Sequence, residues 1–138
     1  PLVAHRYPLT VVADDLDSLG HVNNARYLDY LERGRTQWYD DAELVERCAE
    51  ASGINNLGTV VVNVNIDFRD ECTAGDELVV LTSPARVGGK SFTVVQRIEK
   101  AGGGLSAEAQ VTSVVMDLDT RSAIKLPDTA RALFACDN

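Results

Sequence analysis

Residues 60–68 read V-V-V-N-V-N-I-D-F, with apolar and polar side chains in alternation. A period of two is the pattern of a β-strand that has one face against a core. The apolar set is Val60, Val62, Val64, Ile66 and Phe68, and the polar set is Asn63, Asn65 and Asp67. We therefore expect a strand here whose apolar face is buried.

The preceding segment has a different period. After Gly20, apolar residues recur at spacings of three and four, which lays one stripe along a helix. The stripe consists of Ala25, Tyr27, Leu28, Leu31, Gly34, Trp38 and Ala42. Asn23 or Asn24 is expected to begin this helix, because an asparagine side chain can accept a hydrogen bond from a first-turn N–H. Helical composition continues over 44–51, and the apolar run P-L-T-V-V-A, residues 8–13, predicts a strand before the helix.

Three further β-rich stretches follow, at 76–87, 91–100 and 105–118. Glycine clusters at 88–89 and 102–104 separate them, and such clusters indicate hairpins between antiparallel neighbours. Residues 127–135 favour a short terminal helix. The order predicts an α+β fold, one domain over residues 1–138, with the long helix on one face of an antiparallel sheet of about five strands.

Composition excludes several classes of protein. The 138 residues include 13 Lys plus Arg and 21 Asp plus Glu, a net charge of −8, which disfavours nucleic acid as a partner. No run approaches the roughly 18 apolar residues of a membrane helix, and no signal-peptide pattern precedes residue 10, so we expect no membrane association and a cytoplasmic protein. Cys48, Cys72 and Cys136 lack metal-site spacing and are expected to be reduced thiols.

Residues 15–35 read D-L-D-S-L-G-H-V-N-N-A-R-Y-L-D-Y-L-E-R-G-R and admit three kinds of chemistry. A calcium loop of the EF-hand type needs a glutamate at position 26, where Arg26 stands. A D-x-D-x-T phosphatase needs a threonine where Leu19 stands, and a parallel sheet. The third is acyl hydrolysis, in which one carboxylate lies beside a helix N-terminus whose unpaired N–H groups stabilise developing negative charge.

The motif D-x-D-x-x-G-H-V-N-N-A-R-Y-L-x-Y-L-E-x-x-R resembles the signature of hotdog-fold acyl thioesterases, in particular the hydroxybenzoyl-CoA thioesterase-like family. V-V-V-N-V-N-I-D-F, A-G-D-E-L, G-K-S-F and L-P-D-T-A-R extend the resemblance over nearly the whole chain. It implies a sheet wrapped around the helix, hydrolysis of acyl-CoA without metal or cofactor, and a homodimer or homotetramer with active sites at the subunit interface. Carrier-protein thioesters and a non-catalytic acyl-thioester binding module stay open as alternatives.

Carried over onto this sequence, the resemblance assigns the catalytic carboxylate to Asp17, as general base or nucleophile. It assigns the oxyanion donor to the backbone N–H of Asn24, and His21 is a further catalytic candidate. The residues expected to contact substrate are Gly20, Val22, Asn23 and Tyr27, and, from the partner chain, Asn63, Asn65, Asp67, Lys90 and Ser91. An Asp of ordinary pKa is ionised at neutral pH, so Asp17 has the charge that either role needs.

Each assignment has a structural alternative. For Asp17 the alternative is a turn in which its carboxylate accepts backbone N–H groups. For His21 it is fixing the loop, and for the side chains of Asn23 and Asn24 it is capping the helix. Glu32 and Arg35, three apart on a helix, are expected to form an ion pair. Because coenzyme A is an anion, local cations must offset the net charge; the candidates are Arg69, Arg86, Lys90, Arg97, Arg121 and Lys125.

Overall fold

The strands of the chain form one antiparallel sheet around a long helix. The computed structural model describes residues 4–135. In chain order the elements are β1 (His5–Thr10), a 3-10 turn (Ala13–Asp15), α1 (Asn24–Asp41), α2 (Leu44–Ser52), β2 (Leu57–Phe68), β3 (Glu77–Val87), β4 (Ser91–Lys100), β5 (Leu105–Asp117), β6 (Ser122–Ala123) and α3 (Asp128–Arg131). The α+β class and the hotdog architecture are confirmed, with five main strands as predicted.

The strand order is β1-β3-β4-β5-β2, and the two-residue β6 pairs with the end of β5. The β3–β4 and β4–β5 pairs are consecutive antiparallel neighbours that turn at the glycine clusters, as the sequence predicts. β2 precedes β3 in the chain but pairs with β5, on the far side of the sheet. β1 and β2 are therefore the two edges.

The helix α1 lies on the inner face of the sheet and leans toward the β1 edge. Its backbone lies nearest to β1 and β3, it buries Tyr30, Leu31 and Gly34, and single side chains of the helix also reach β2, β4 and β5. A side chain at position 34 would have no room, because a Cβ built on Gly34 would lie 2.6 Å from the Cγ1 of Val80 on β3. The glycine thus allows helix and strand to approach closely, and the β2 side of the sheet is left open.

The predicted apolar stripe of α1 needs correction. Ala25 and Leu28 are exposed, and Trp38 and Ala42 are only partly buried. The buried face of the helix instead includes Tyr30, Arg35 and Tyr39. The cause is the off-centre position of the helix, which exposes the flank that carries Leu28.

The prediction of a buried apolar face on β2 is wrong for the single chain. Val62 is 57% and Phe68 46% exposed, because β2 is an edge strand that α1 does not cover. Between Val61 and Asn63 the register with β5 shifts by one residue, so Val62 is unpaired and the alternation changes phase. An uncovered apolar strip therefore runs along this edge.

Other boundaries differ by a few residues. The first strand ends at Thr10 rather than 13, because the chain then enters the 3-10 turn. The long helical segment is two helices, since Glu43 adopts a left-handed conformation (φ 57°) between them. The terminal helix is a single turn, and β6 was not predicted. Cys48 and Cys72 are buried free thiols, whereas Cys136 lies outside the described residues.

Candidate active site

A tight loop, residues 16–22, joins the 3-10 turn to α1. Leu16 and Val22 form an isolated antiparallel bridge at its ends, and the Asp17 N–H donates to the His21 carbonyl at 2.8 Å. Gly20 has φ +83°, in the left-handed region that glycine adopts without steric cost. Gly20 therefore lets the loop close on itself and hold Asp17 next to the start of the helix.

The Asp17 carboxylate is fixed by the backbone of its own loop. Its Oδ1 accepts the Leu19 N–H at 2.9 Å and the His21 N–H at 3.3 Å. The first of these bonds makes the turn that was the structural alternative for this residue. The same bonds orient the carboxylate, and within residues 4–135 its Oδ2 has no hydrogen-bond donor.

The start of α1 supplies the second element of the site. Asn23 caps the helix, and its side-chain oxygen accepts the Ala25 N–H at 2.9 Å. This agrees with the capping interpretation of that side chain. Asn24 is the first helical residue, and its N–H has no backbone acceptor in the described chain. Helix N-terminal N–H groups of this kind attract negative charge.

One cleft of about 290 Å³ brings these groups together. Its lining is Asp17, His21, Val22, Asn24, Tyr27, Phe68, Arg69, Asp70 and Glu71. Five of the predicted site residues therefore share one cleft, on the loop and the first turn of α1. The opposite wall comes from the end of β2 and the segment after it.

Glu71 is a site residue that sequence reasoning missed. The His21 Nδ1 lies 2.9 Å from the Glu71 Oε2, and a second link joins the Val22 N–H to the Cys72 carbonyl at 2.8 Å. Both contacts hold residues 16–22 against the opposite wall of the cleft, as the loop-fixing interpretation of His21 expects. The only signal in the sequence was an acidic residue directly after a strand, and it did not reveal which loop would face it.

Tyr27 forms the floor between the two walls. Its hydroxyl contacts the Ser106 Oγ at 3.3 Å and the Asp70 carbonyl at 3.5 Å, and its ring meets Phe68 edge-on with centroids 5.3 Å apart. Burial raises the pKa of Tyr27 to about 12. The phenol is therefore neutral at physiological pH, and Tyr27 lines the cleft with an uncharged hydroxyl.

The five predicted partner-chain residues lie elsewhere in their own chain. Asn65 and Asp67 line a groove on the outer face of the sheet, and Asn63 is on the same face of β2. Lys90 is exposed in the β3–β4 turn, and Ser91 pairs with Val114, at the opposite end of β5 from the residues beside Phe68. Their role depends on a second copy and stays a prediction.

The charges around the cleft are largely paired. Arg69, the one cation in the described lining, pairs with Glu108 and Asp67. Lys100 Nζ lies 2.9 Å from Asp70, and this hydrogen bond lowers the pKa of the Asp70 carboxyl. Charge from other groups must therefore help to hold an anionic substrate.

The predicted Glu32–Arg35 ion pair is wrong. Arg35 turns into the core, where its Nη1 donates to the Gln96 Oε1 at 3.3 Å, while Glu32 stays exposed. The reason is again the off-centre position of the helix, which buries the face that carries Arg35. No cluster of three or more His, Cys, Asp or Glu suited to a metal occurs in residues 4–135. No helix of the same range is long and apolar enough to cross a membrane.

Comparisons with known proteins show what the chain is similar to. A sequence model of the Thioesterase-like superfamily matches residues 11–134. The long-chain acyl-CoA thioesterase FadM of Escherichia coli K12 is 33% identical over 117 residues, 84% of this chain and 86% of the relative. The YbaW probable thioesterase of Escherichia coli, a solved structure, is 30% identical over 95% of this chain and 99% of that one, with a TM-score of 0.74.

A second solved structure is similar in fold. The 1,4-dihydroxy-2-naphthoyl-CoA thioesterase of Synechocystis is 22% identical over 95% of each chain, with a TM-score of 0.78. The family match covers nearly all of the described chain and includes the loop, the helix start and the opposite wall of the cleft. The resemblance seen in the sequence is thereby confirmed, together with the enzyme class, a thioester hydrolase. The chain belongs to the thioesterase-like superfamily.

Proposed function

We propose that this protein hydrolyses acyl-CoA thioesters to a carboxylate and free coenzyme A at the Asp17 cleft. The observation that carries the proposal is the fixed Asp17 carboxylate beside the unpaired N–H of Asn24 in one cleft. The naming of FadM as an acyl-CoA thioesterase supports coenzyme A as the carrier. We propose that the substrate carbonyl oxygen accepts the Asn24 N–H, where the helix dipole stabilises the charge of the tetrahedral intermediate.

Two chemical routes use the same groups. In the first, the free Oδ2 of Asp17 takes a proton from water, the hydroxide adds to the carbonyl carbon, and the carbon–sulfur bond breaks as the thiolate leaves. In the second, the Oδ2 attacks the carbon directly and forms a mixed anhydride that water then hydrolyses. A single turnover in ¹⁸O-labelled water distinguishes them, because only the anhydride route can leave label in the Asp17 carboxylate.

We further propose that the active protein is a homodimer, or a dimer of dimers, paired along β2. The uncovered apolar strip supports this, since an exposed apolar edge strand favours pairing with another chain. A two-fold axis makes such pairing antiparallel, which sets the Leu57 end of one strand against the Phe68 end of the other. The partner's Lys90 and the partner's Ser91 then approach the Asp17 cleft, where a cation would offset the charge of coenzyme A.

Asp17→Asn tests the catalytic assignment, with Asp14→Asn as the matched control. The asparagine oxygen can still accept the Leu19 and His21 N–H groups, so the loop is kept while the charge is lost. Asp14 is exposed in the preceding turn and does not line the cleft. We expect turnover by Asp17→Asn to fall by about 10²- to 10⁴-fold, with a modest change in binding.

The assay is free-thiol release from short, medium and long aliphatic and aromatic acyl-CoAs. Asp17→Asn with turnover within about tenfold of the parent would contradict the assignment. No release from any member by the folded parent protein, together with saturable acyl-CoA binding, would instead favour the binding module.

A further inference from the structure

A second pocket of about 300 Å³ opens between the C-terminal half of α1 and the edge strand β2. We call it the distal pocket. Its lining is Glu32, Arg35, Thr36, Tyr39, Thr59, Val60, Val61 and Ser113, and Glu32 is exposed at its rim. The proposed catalytic machinery does not use any of these residues.

Arg35 places a buried positive charge at this pocket. It is 7% exposed, and within residues 4–135 it forms no ion pair, although the exposed Glu32 acts on it electrostatically. Its side-chain partner is the neutral Gln96 oxygen, held in place because the Gln96 amide group donates to the Leu31 carbonyl and to Thr82, both at 2.9 Å. A buried charge without an anionic partner is strongly unfavourable, so this guanidinium is suited to an acceptor from outside the chain.

Tyr39 places a second hydrogen-bond donor at the distal pocket. It is 4% exposed, and its hydroxyl has no hydrogen-bond partner in the described chain. Burial raises the pKa of Tyr39 to about 12; the nearby Ser113 hydroxyl acts in the opposite direction, but without hydrogen-bond geometry. The phenol thus stays protonated and can donate. Buried hydroxyls are almost always hydrogen-bonded, so its lack of a partner needs an explanation.

The distal pocket and the Asp17 cleft are both lined by α1 and β2. Asn24 and Tyr27 line the cleft, and Arg35 and Tyr39 line the distal pocket further along the same helix. At 1.5 Å per residue, the 11 residues from Asn24 to Arg35 span about 16 Å. β2 runs beside α1 in the opposite direction, with Phe68 at the cleft and Val61 at the distal pocket.

The inner face of β2 between the two pockets is apolar. Val64 and Ile66 lie between Phe68 and Val61, and they pair with Val111 and Ala109, whose side chains are buried on the inner face. A ligand that spans this face would have a reactive group at the Asn24 end, an apolar middle, and hydrogen-bond acceptors at the Arg35 end.

We propose that the distal pocket binds a carboxylate at the far end of the acyl group, so that the substrate is an ω-carboxyacyl-CoA. This inference rests on the proposed function and specifies its substrate class. A separation of about 16 Å corresponds to an extended acyl chain of about twelve carbons. The carboxylate receives the Arg35 guanidinium and the Tyr39 hydroxyl, and it neutralises the buried charge.

The test compares dodecanoyl-CoA with the mono-CoA thioester of dodecanedioic acid, which differs only in the terminal carboxylate. We expect kcat/KM of the parent protein to favour the carboxylated substrate by about tenfold or more. Tyr39→Phe should lower this ratio by about threefold to tenfold, the net effect of one lost hydrogen bond. Arg35→Met should reverse the preference. Tyr7→Phe, a partly buried tyrosine on β1 outside both pockets, should leave the ratio unchanged.

Product binding gives a second measurement that does not require turnover. Dodecanedioate should raise the melting temperature of the parent more than dodecanoate at equal concentration, and Tyr39→Phe should lose that difference. This measurement still tests the proposal if Arg35→Met fails to fold. The proposal is overturned if the parent protein shows equal kcat/KM for the two substrates and equal stabilisation by the two products. It is also overturned if Tyr39→Phe leaves the ratio of kcat/KM values unchanged. Water or a partner-chain carboxylate would then occupy the pocket. If no thioester is cleaved but dodecanedioate still stabilises selectively, the proposed function fails while the carboxylate site stands.

Discussion

Replacing Gly34 by alanine should destabilise the protein, although alanine is the better helix former. Within a helix, alanine is favoured over glycine by about 1 kcal/mol. Against this, the new Cβ would lie 2.6 Å from the Cγ1 and 3.1 Å from the Cβ of Val80. Carbon atoms are best separated by about 3.5–4.0 Å, so helix and strand must move apart by several tenths of an ångström or more.

The size of the effect follows from what can move. Val80 is fully buried, and its Cβ is fixed to the backbone of a strand that is paired on both sides. Overpacking of a closed core site costs about 1–3 kcal/mol, and this contact belongs at the upper end. After the helix-propensity gain is subtracted, we expect a net loss of about 1–2 kcal/mol in the free energy of unfolding.

Urea unfolding of a double-mutant cycle with Val80→Ala measures this effect. Val80→Ala removes the Cγ1 that blocks the new methyl group, so in that background Gly34→Ala should become neutral or stabilising by up to about 1 kcal/mol. The sign of the Gly34→Ala effect should thus change between the two backgrounds. Stabilisation of the parent protein by Gly34→Ala, or the same destabilisation in both backgrounds, would refute the close approach of α1 and β3.

Asn23→Ala should lower the free energy of unfolding by about 1 kcal/mol in urea titrations, whereas Asn23→Asp, which keeps the capping acceptor, should not. Burial raises the pKa of Tyr39 to about 12, so its stabilising contribution is complete below about pH 10 and is lost as pH rises toward 12; melting temperatures measured over this range should fall less steeply in Tyr39→Phe. Val62→Asp should shift sedimentation equilibrium toward monomer, because it places charge on the uncovered β2 strip, while Val12→Asp, at a valine of similar exposure away from the sheet, should not.

The features that sequence predicted well are local ones. The glycine clusters at 88–89 and 102–104 marked turns between neighbouring strands, and Asn23 marked the start of α1. The roles of Asp17 and Asn24 come from the resemblance to the thioesterase motif and stay a prediction, but a short loop before a helix already places both residues near the helix N-terminus. These signals depend on chain neighbours, so the sequence contains them directly.

The features that sequence missed depend on the order of strands in the sheet. The alternation over 60–68 identifies the two faces of β2, but it does not say that this strand is an edge without a covering helix. Glu71 and His21 are 50 residues apart in sequence, and they meet only because the segment after β2 folds back against the catalytic loop. Arg35 was expected to pair with Glu32 because of their spacing, whereas its guanidinium is buried and donates to Gln96 on β4, a contact that spacing along the helix does not reveal.

The off-centre position of α1 connects the packing of the core with the two pockets at the surface. Close contact at Gly34 draws the helix toward β3 and the β1 edge, and the space that it vacates lies along β2. Both pockets are in that space: the Asp17 cleft at the N-terminal end of the helix and the distal pocket beside Arg35 and Tyr39. A helix centred on the sheet would cover the inner face of β2, and no space would remain for an acyl chain. The uncovered strip would then also be absent from the edge at which we propose that a second copy pairs. The contact at Gly34 therefore affects both the access of an acyl chain and the pairing of subunits.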